Sequence, residues 1–172
     1  NYPRNPGGTL ALGELALTKR DFGLAADMFG SAVQSFSQEP DAHYGLARAL
    51  DASDREAALA ALNQALEINS RHVPSLLLRA GDHFDAEHYD EARATLQQVL
   101  DINPLHPTAL ALLSTIAHLQ NDEAAETDFR TRALSTWAAN PEVDYFIGRD
   151  LSRKYRFVEG AAHQRQALQF DA

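Results

Sequence analysis

Seven histidines are the residues of this sequence best suited to metal binding or acid–base chemistry. The HExxH metal motif places two histidines one helical turn apart, so that both reach the same ion. No histidine pair here has that spacing, and the nearest, His83 and His88, are five residues apart across a predicted turn. We therefore expect turn and surface histidines, and we predict neither a metal site nor a cofactor.

Nucleophilic and carboxylate catalysis have little support in the residue pattern. The sequence has no GxSxG turn, which exposes the serine of many hydrolase triads, and Gly7-Gly8 is an isolated pair rather than a phosphate-binding loop. Glu123, Glu126 and Asp128 lie on one predicted helix, and such a charged cluster is typical of a solvated face. Cysteine is absent, which excludes thiolate nucleophiles and Cys-based metal sites. We predict that the chain is not an enzyme.

The charge balance and the hydropathy exclude two further classes of function. The 24 acidic residues outnumber the 15 basic ones, which gives a net charge of −9. Non-specific nucleic-acid binding depends on Lys and Arg that neutralise phosphates, so we predict no nucleic-acid partner. The longest apolar segment, residues 109–113, is far shorter than a membrane span, so we predict no such span.

The elements that would position any site are repeated along the whole chain. A small apolar residue followed by an aliphatic one recurs at a nearly constant interval of about 34 residues. Seven positions before the pair, a small residue stands in four of five copies, and Pro40, Pro104 and Pro141 follow three of the pairs. Small residues allow close helix crossings, and proline ends a helix, so each copy predicts a helical hairpin. The pairs are Ala32-Val33, Ala65-Leu66, Val99-Leu100, Ala133-Leu134 and Ala167-Leu168.

Helical periodicity within the copies supports this interpretation. In the third copy, Ala92, Leu96, Val99 and Leu100 form an apolar stripe with i, i+4, i+7, i+8 spacing. No segment alternates with the period of two that is typical of strands, so we predict no sheet. The predicted helices are 8–19, 22–37, 41–51, 54–69, 73–85, 89–102, 107–120, 122–139, 142–154 and 157–170.

Residues 6–172 resemble the tetratricopeptide repeat (TPR), a helix–turn–helix unit with the same interval. The third copy carries the resemblance most fully, with Ala80, Tyr89, Ala92 and the closing Pro104. The resemblance implies an all-α solenoid in a single domain, in which ten helices form about five TPR repeats stacked as a right-handed superhelix. The repeats fall at about 6–40, 41–72, 73–106, 107–140 and 141–172.

Repeat four departs from the family pattern. Glu126 stands at a small-residue position and Arg130 at an apolar one, so we expect this repeat to pack with a rotated second helix. Pro40 and Pro141 follow their pairs later than Pro104 does, which predicts second helices about one turn longer in repeats one and four. The rotated helix would present the stripe Ala125, Phe129, Ala133 and Trp137, with Trp137 in inter-repeat packing.

The resemblance also implies which residues face a partner, because the first helices of TPR repeats line a concave surface. It predicts a protein–protein or protein–peptide interaction scaffold that binds a protein or extended peptide there. Leu10, Glu14, Leu77 and Gly81 stand where chaperone-binding TPR domains have Lys and Asn, so the carboxylate clamp is absent. The alternative is a non-catalytic segment of a larger enzyme or of an export- or assembly-related protein. The predicted groove residues are Leu77, Phe84, Ala111, Thr115, His118, Tyr145, Arg149 and Arg153.

A basic cluster stands out within this acidic chain. Arg149 and Arg153 are one helical turn apart and lie beside Tyr145, so the three could hold an acidic or aromatic peptide side chain. The alternative is a basic face that pairs with acidic residues of other helices. No polar capping helix follows repeat five, so we expect either a fragment of a longer chain or self-association through the C-terminal repeat.

Overall fold

The computed structural model describes residues 6–169, and within them it contains ten α-helices and no strand. The all-α class and the number of helices predicted from the repeat are therefore confirmed. The helices are α1 (Gly7–Thr18), α2 (Phe22–Ser35), α3 (Pro40–Leu50), α4 (Arg55–Ile68), α5 (Val73–Asp85), α6 (Tyr89–Leu100), α7 (Pro107–Leu119), α8 (Glu123–Leu134), α9 (Pro141–Arg153) and α10 (Phe157–Leu168).

Local sequence signals begin the helices. The side chains of Asp21, Asp54 and Asp122 accept a hydrogen bond from the backbone N–H three residues later, at the start of α2, α4 and α8. These aspartates satisfy one of the N–H groups that a helix start leaves unpaired. Pro107 and Pro141 occupy the first position of α7 and α9, where the missing proline N–H costs nothing.

The chain divides into two compact units, residues 1–75 and residues 76–172. In the first unit, Phe29 is almost fully buried between the small residues that mark the helix crossings. A Cβ atom on Gly13 would lie 2.7 Å from the Phe29 ring, and one on Gly45 would lie closer still. These glycines are therefore needed to admit the ring. That all five repeats form a single domain stays a prediction.

In the second unit, α7 is buried on every side. All nine residues from Ala109 to Ala117 are buried, which is typical of a helix at the centre of a structure rather than on its surface. α9 packs against both α7 and α8. The crossing of α9 and α10 is equally close, since a Cβ atom on Gly148 would lie 2.6 Å from the carbonyl oxygen of Gly160.

The predicted extension of the second helix in repeat four is wrong. α8 ends at Leu134 and has 12 residues, the same length as α6. The hydroxyl of Ser135 donates to the Arg132 carbonyl oxygen at 2.7 Å and so competes for a group that a longer helix would use. In repeat one, α2 has 14 residues, two more than α6 rather than a full turn.

The prediction that Trp137 packs between repeats is also wrong. Because α8 stops at Leu134, Trp137 lies beyond the helix, and 56% of its surface is exposed. Of the predicted stripe, only Ala133 is buried.

Candidate functional site

The predicted groove residues do not form an open surface along the first helices. Phe84, Ala111 and Thr115 are fully buried, and the Thr115 hydroxyl donates to the Ala111 carbonyl oxygen at 3.0 Å. Leu77 is half-buried. Contrary to the sequence-based expectation, these three buried residues present no surface to a partner, because neighbouring side chains cover α5 and α7. We call Phe84, Ala111 and Thr115 the first-helix face.

An ion-pair bridge joins the C-terminal ends of α5 and α9. Arg153 donates to the Asp85 carboxylate. Lys154 Nζ donates to the Asp85 carbonyl oxygen at 3.0 Å and to Glu87 Oε1 at 3.2 Å. Lys154 thus satisfies a carbonyl that the end of α5 leaves unpaired, where the helix dipole favours a cation. We call these four residues the α5–α9 bridge.

The α5–α9 bridge connects repeats that are not neighbours. In a regular solenoid each repeat contacts only the adjacent ones, yet here repeat three contacts repeat five directly. Lys154 Nζ lies 5.1 Å above the centre of the Phe84 ring, and the Lys154 side chain is only 11% exposed. The bridge therefore covers part of the first-helix face.

The basic cluster predicted on α9 is largely paired within the chain. Arg149 donates two hydrogen bonds to Asp150, at 2.7 Å and 3.1 Å, and lies 5.0 Å above the Phe146 ring. Burial acts to lower the pKa of Arg149, but the bonds to Asp150 and the field of Tyr145 and Asp85 outweigh it and raise that pKa. Arg149 therefore stays charged.

Tyr145 and the two arginines are nevertheless accessible. Tyr145 is 51% exposed, and the side chains of Arg149 and Arg153 are 42% and 44% exposed. The structure thus leaves Tyr145 and Arg149 accessible on α9 and turns Arg153 toward Asp85. A partner that binds these arginines must compete with Asp150 or Asp85.

Arg130, the charged residue at an apolar position of repeat four, is paired with a charged residue at an apolar position of repeat five. Asp144 is completely buried and accepts hydrogen bonds from Arg130 at 3.0 Å and 2.7 Å and from His163 at 2.7 Å. One repeat earlier, the positions of Arg130 and Asp144 hold Leu96 and Leu110, both fully buried. An ion pair therefore replaces a pair of leucines at this repeat junction.

The partners of Asp144 set its protonation state. Burial acts to raise the pKa of Asp144, because the charged form loses hydration. The hydrogen bonds from His163 and Arg130, together with their positive charge, outweigh this effect and hold the pKa below its ordinary value. The carboxylate is thus ionised at neutral pH.

Glu126 has a similar explanation. The Ser114 hydroxyl donates to the Glu126 carbonyl oxygen at 3.0 Å, and His118 Nδ1 lies 3.1 Å from Glu126 Oε2. Polar contacts therefore hold the α7–α8 crossing at a position where a small residue is usual. His118 Nε2 is buried and has no hydrogen-bond partner among the described residues. His118, a predicted groove residue, is mainly engaged with α8.

A serine, a histidine and an aspartate meet in the first unit, although no sequence motif connects them. His72 Nδ1 lies 2.7 Å from Ser75 Oγ, and His72 Nε2 lies 3.0 Å from Asp41 Oδ1. These are the residue types of a hydrolase triad. Ser75 is completely buried, so a substrate carbonyl cannot reach its hydroxyl. The contacts instead hold the start of α5.

Histidines begin helices at a regular interval. His106 lies one repeat length after His72 and precedes α7, where its Nδ1 accepts a hydrogen bond from the Ala109 N–H. Burial lowers the pKa of His106, which favours the neutral ring that this bond requires. The interval is visible in the sequence and places His72 and His106 at equivalent positions before α5 and α7. The residues that the structure describes contain no group of three or more His, Asp or Glu side chains arranged to hold a metal ion.

A cleft of about 480 Å³ lies between α9 and α10. Its apolar wall includes Leu168, which is 69% exposed, whereas Leu100 at the equivalent position of repeat three is 5% exposed. α9 itself packs against the preceding hairpin, α7 and α8, but the described residues provide no helix that covers the α9–α10 hairpin in the same way. The cleft is lined by Pro141, Glu142, Tyr145, Gln164, Ala167 and Leu168.

No helix in the described part of the chain combines the length and apolar character needed to cross a membrane.

Comparison with known proteins identifies the repeat. Two family models described as tetratricopeptide repeat match residues 10–74 and 49–116. A search of curated protein sequences finds no significant match.

Several solved structures share the fold over 96% of this chain. Yeast Tom70 superposes with a TM-score of 0.76 at 17% identity, and the match covers 34% of that protein. Pseudomonas aeruginosa pilF gives 0.74 at 18% identity over 76% of its chain. TTC0263, a thermophilic TPR protein in Thermus thermophilus, gives 0.73 at 18% identity over 91% of its chain. At these identities the likeness shows the fold alone. The constant repeat interval, the ten helices and both family models agree: the chain belongs to the tetratricopeptide repeat family and has the general character of a protein-interaction scaffold.

Proposed function

We propose that this chain binds a protein or an extended peptide through the concave side of its first helices, and that it does so without catalysis. The observation that carries the proposal is the accessible group formed by Tyr145, Arg149 and Arg153 on α9. Tyr and Arg are enriched among the residues that contribute most to protein binding. The two arginines supply charge, and Tyr145 supplies apolar area beside the α9–α10 cleft.

The experiment compares partner binding by two tyrosine variants. The proteins captured by the immobilised wild-type chain are identified, and the affinity of each is measured for Tyr145→Ala and Tyr155→Ala. Tyr155 is the matched control, because it is 82% exposed but lies on the turn after α9. We expect Tyr145→Ala to weaken binding at least about tenfold, the effect of a hot-spot residue, and Tyr155→Ala to leave it unchanged. If the wild type and both tyrosine variants bind a partner with equal affinity, the surface around Tyr145 is not the binding site.

We propose that nucleic acids are not partners. The net charge of −9 opposes the approach of a polyphosphate. Fluorescence anisotropy with labelled DNA and RNA at low salt should show no binding. Binding that weakens steeply as salt is added would contradict this.

We also propose that the α9–α10 cleft binds a second copy of the chain. Two apolar surfaces support this pairing: Leu168 beside the cleft, and Leu12 and Leu15 on α1, which are 55% and 54% exposed. Packing of α1 from one copy against the α9–α10 hairpin of another would cover both in the way that α9 covers α7 and α8. Light scattering should show a mass that rises with concentration for the wild type and stays monomeric for Leu168→Glu. A monomeric wild type would refute it.

A further inference from the structure

We propose that the α5–α9 bridge holds the first-helix face closed, and that an acidic partner segment opens it by replacing Asp85 and Glu87 at the bridge. The inference deepens the proposed function and rests on it, because it names the chemistry of the partner and the state that must change. Three features of the second unit support it: the nature of the bridge, what lies beneath it, and the local charge.

The bridge is built from contacts that can exchange. The side chains of Arg153 and Asp85 are both 44% exposed, and Glu87 is 67% exposed. Exposed ion pairs add little net stability, because water hydrates and salt screens the separated charges. The bridge can therefore open without unfolding the helices that it joins.

Lys154 couples opening of the bridge to exposure of apolar surface. It packs over the Phe84 ring and is only 11% exposed. When Lys154 leaves Asp85 and Glu87, Phe84 loses this cover. Ala111 and Thr115, at the corresponding face of the next first helix, are fully buried in the closed state. Their small side chains would leave room for a peptide backbone.

The local charge selects an acidic occupant. Arg149, Arg153, Lys154 and Arg156 lie close together in a chain whose net charge is −9. In the closed state Asp85 and Glu87 supply carboxylates to Arg153 and Lys154. Arg149 and Arg156 are paired with Asp150 and Glu159. A segment with two or more acidic side chains offers the same charge-assisted hydrogen bonds and adds contacts to Phe84. It can therefore take the place of the internal carboxylates.

The first experiment measures opening without any partner. Because the chain contains no cysteine, Ala111→Cys places a single thiol on the first-helix face. Its rate of reaction with an aromatic disulfide reagent is compared with and without the bridge-breaking pair Asp85→Asn and Glu87→Gln. Loss of these exposed pairs should accelerate labelling about tenfold. Ala65→Cys, fully buried in the first unit, is the control thiol and should not change.

Two outcomes would overturn the closure. Equal labelling rates at position 111 with and without the bridge would show that the bridge closes nothing. A parallel rise at position 65 would show general loosening of the chain. Neither outcome bears on the Tyr145 comparison, so failure of the closure and failure of the proposed function remain distinguishable.

The second experiment tests the acidic occupant with a labelled octaglutamate peptide in fluorescence anisotropy. The Asp85→Asn, Glu87→Gln protein should bind it about tenfold more tightly than the wild type, because the internal competitors are gone. Arg153→Gln with Lys154→Gln should abolish binding. Glu123→Gln with Asp128→Asn changes the net charge equally on α8 and should leave the affinity near the wild-type value. If both pairs of acid substitutions raise the affinity equally, the effect comes from net charge alone and the proposal is overturned. Peptide binding that persists without Arg153 and Lys154 would overturn it as well.

Discussion

Replacing Arg130 with leucine should leave the carboxylate of Asp144 in the core without its bidentate partner. Asp144 is completely buried and receives two hydrogen bonds from Arg130. Breaking a buried ion pair by removal of one partner costs about 3–5 kcal/mol. Because His163 still donates to Asp144, we expect the lower end, about 3 kcal/mol. Asp144→Leu should cost less, about 1–2 kcal/mol, since Arg130 is 32% exposed and can turn to water.

The double substitution should recover most of the loss. Leucine at both positions reproduces the buried Leu96 and Leu110 of the preceding junction. Exchange of a buried ion pair for packed apolar residues is often neutral or stabilising, so we expect a stability within about 1 kcal/mol of the wild type. The coupling free energy between the two sites should then be at least about 2 kcal/mol.

Urea unfolding followed by far-UV circular dichroism measures all four proteins, with an unchanged m-value as the sign that the unfolded state is unaffected. The exposed pair Arg132 and Asp128 on α8, 3.4 Å apart, is the matched control, and its coupling should stay below about 0.5 kcal/mol. If the losses of unfolding free energy in the two single variants simply add in the double variant, Arg130 and Asp144 do not act as a pair that replaces two packed leucines.

Three further predictions concern pH and packing. The pKa of Asp144 is lowered in the folded chain, so its contribution is present above the ordinary value of 3.8 and is lost as the pH falls below it. The urea midpoint of the wild type should therefore fall more steeply between about pH 5 and pH 3 than that of the double leucine variant. The pKa of His106 is also lowered in the folded chain, so its stability contribution is present above the ordinary value of 6.5 and is lost as the pH falls below it. His106→Asn should retain the helix cap and remove this acid sensitivity between about pH 8 and pH 5.5, the range in which histidine titrates. If the urea midpoint of the variant depends on pH as steeply as that of the wild type, His106 does not act as a neutral cap. Gly45→Ala should destabilise by about 1–3 kcal/mol because the added Cβ meets the Phe29 ring. Gly30→Ala in α2, which meets nothing within 4 Å, should instead stabilise by about 0.5–1 kcal/mol, and equal effects in thermal melts would contradict the packing argument.

The burial of Phe84, Ala111 and Thr115, three of the predicted groove residues, has a cause that no local pattern carries. Repeat spacing places a residue on a face of its own helix. It does not tell whether another segment covers that face. Here the covering residue is Lys154, which lies above the Phe84 ring and donates to Glu87, 67 residues earlier in the chain.

The two departures at the junction of repeats four and five were only half visible in the sequence. The sequence shows Arg130 as a charged residue at an apolar position, and from the sequence alone a rotated helix is the expected way to accommodate it. Nothing local identifies Asp144 as the partner of Arg130, because one acidic residue among 24 carries no mark of burial. A comparison of Asp144 with Leu110, one repeat earlier, would have found it.

The sequence by itself determined the family, the helices and their order. The recurrence of small apolar pairs at a constant interval can be read directly from the order of residues, and each hairpin forms from residues that are close in the chain. Only the tertiary structure decided which faces stay open and which charges are paired. Those depend on contacts between residues as distant as Lys154 and Glu87, which the folded backbone brings within 3.2 Å. Because local propensity is blind to such pairs, the helices could be predicted from the chain, but the closed first-helix face could not.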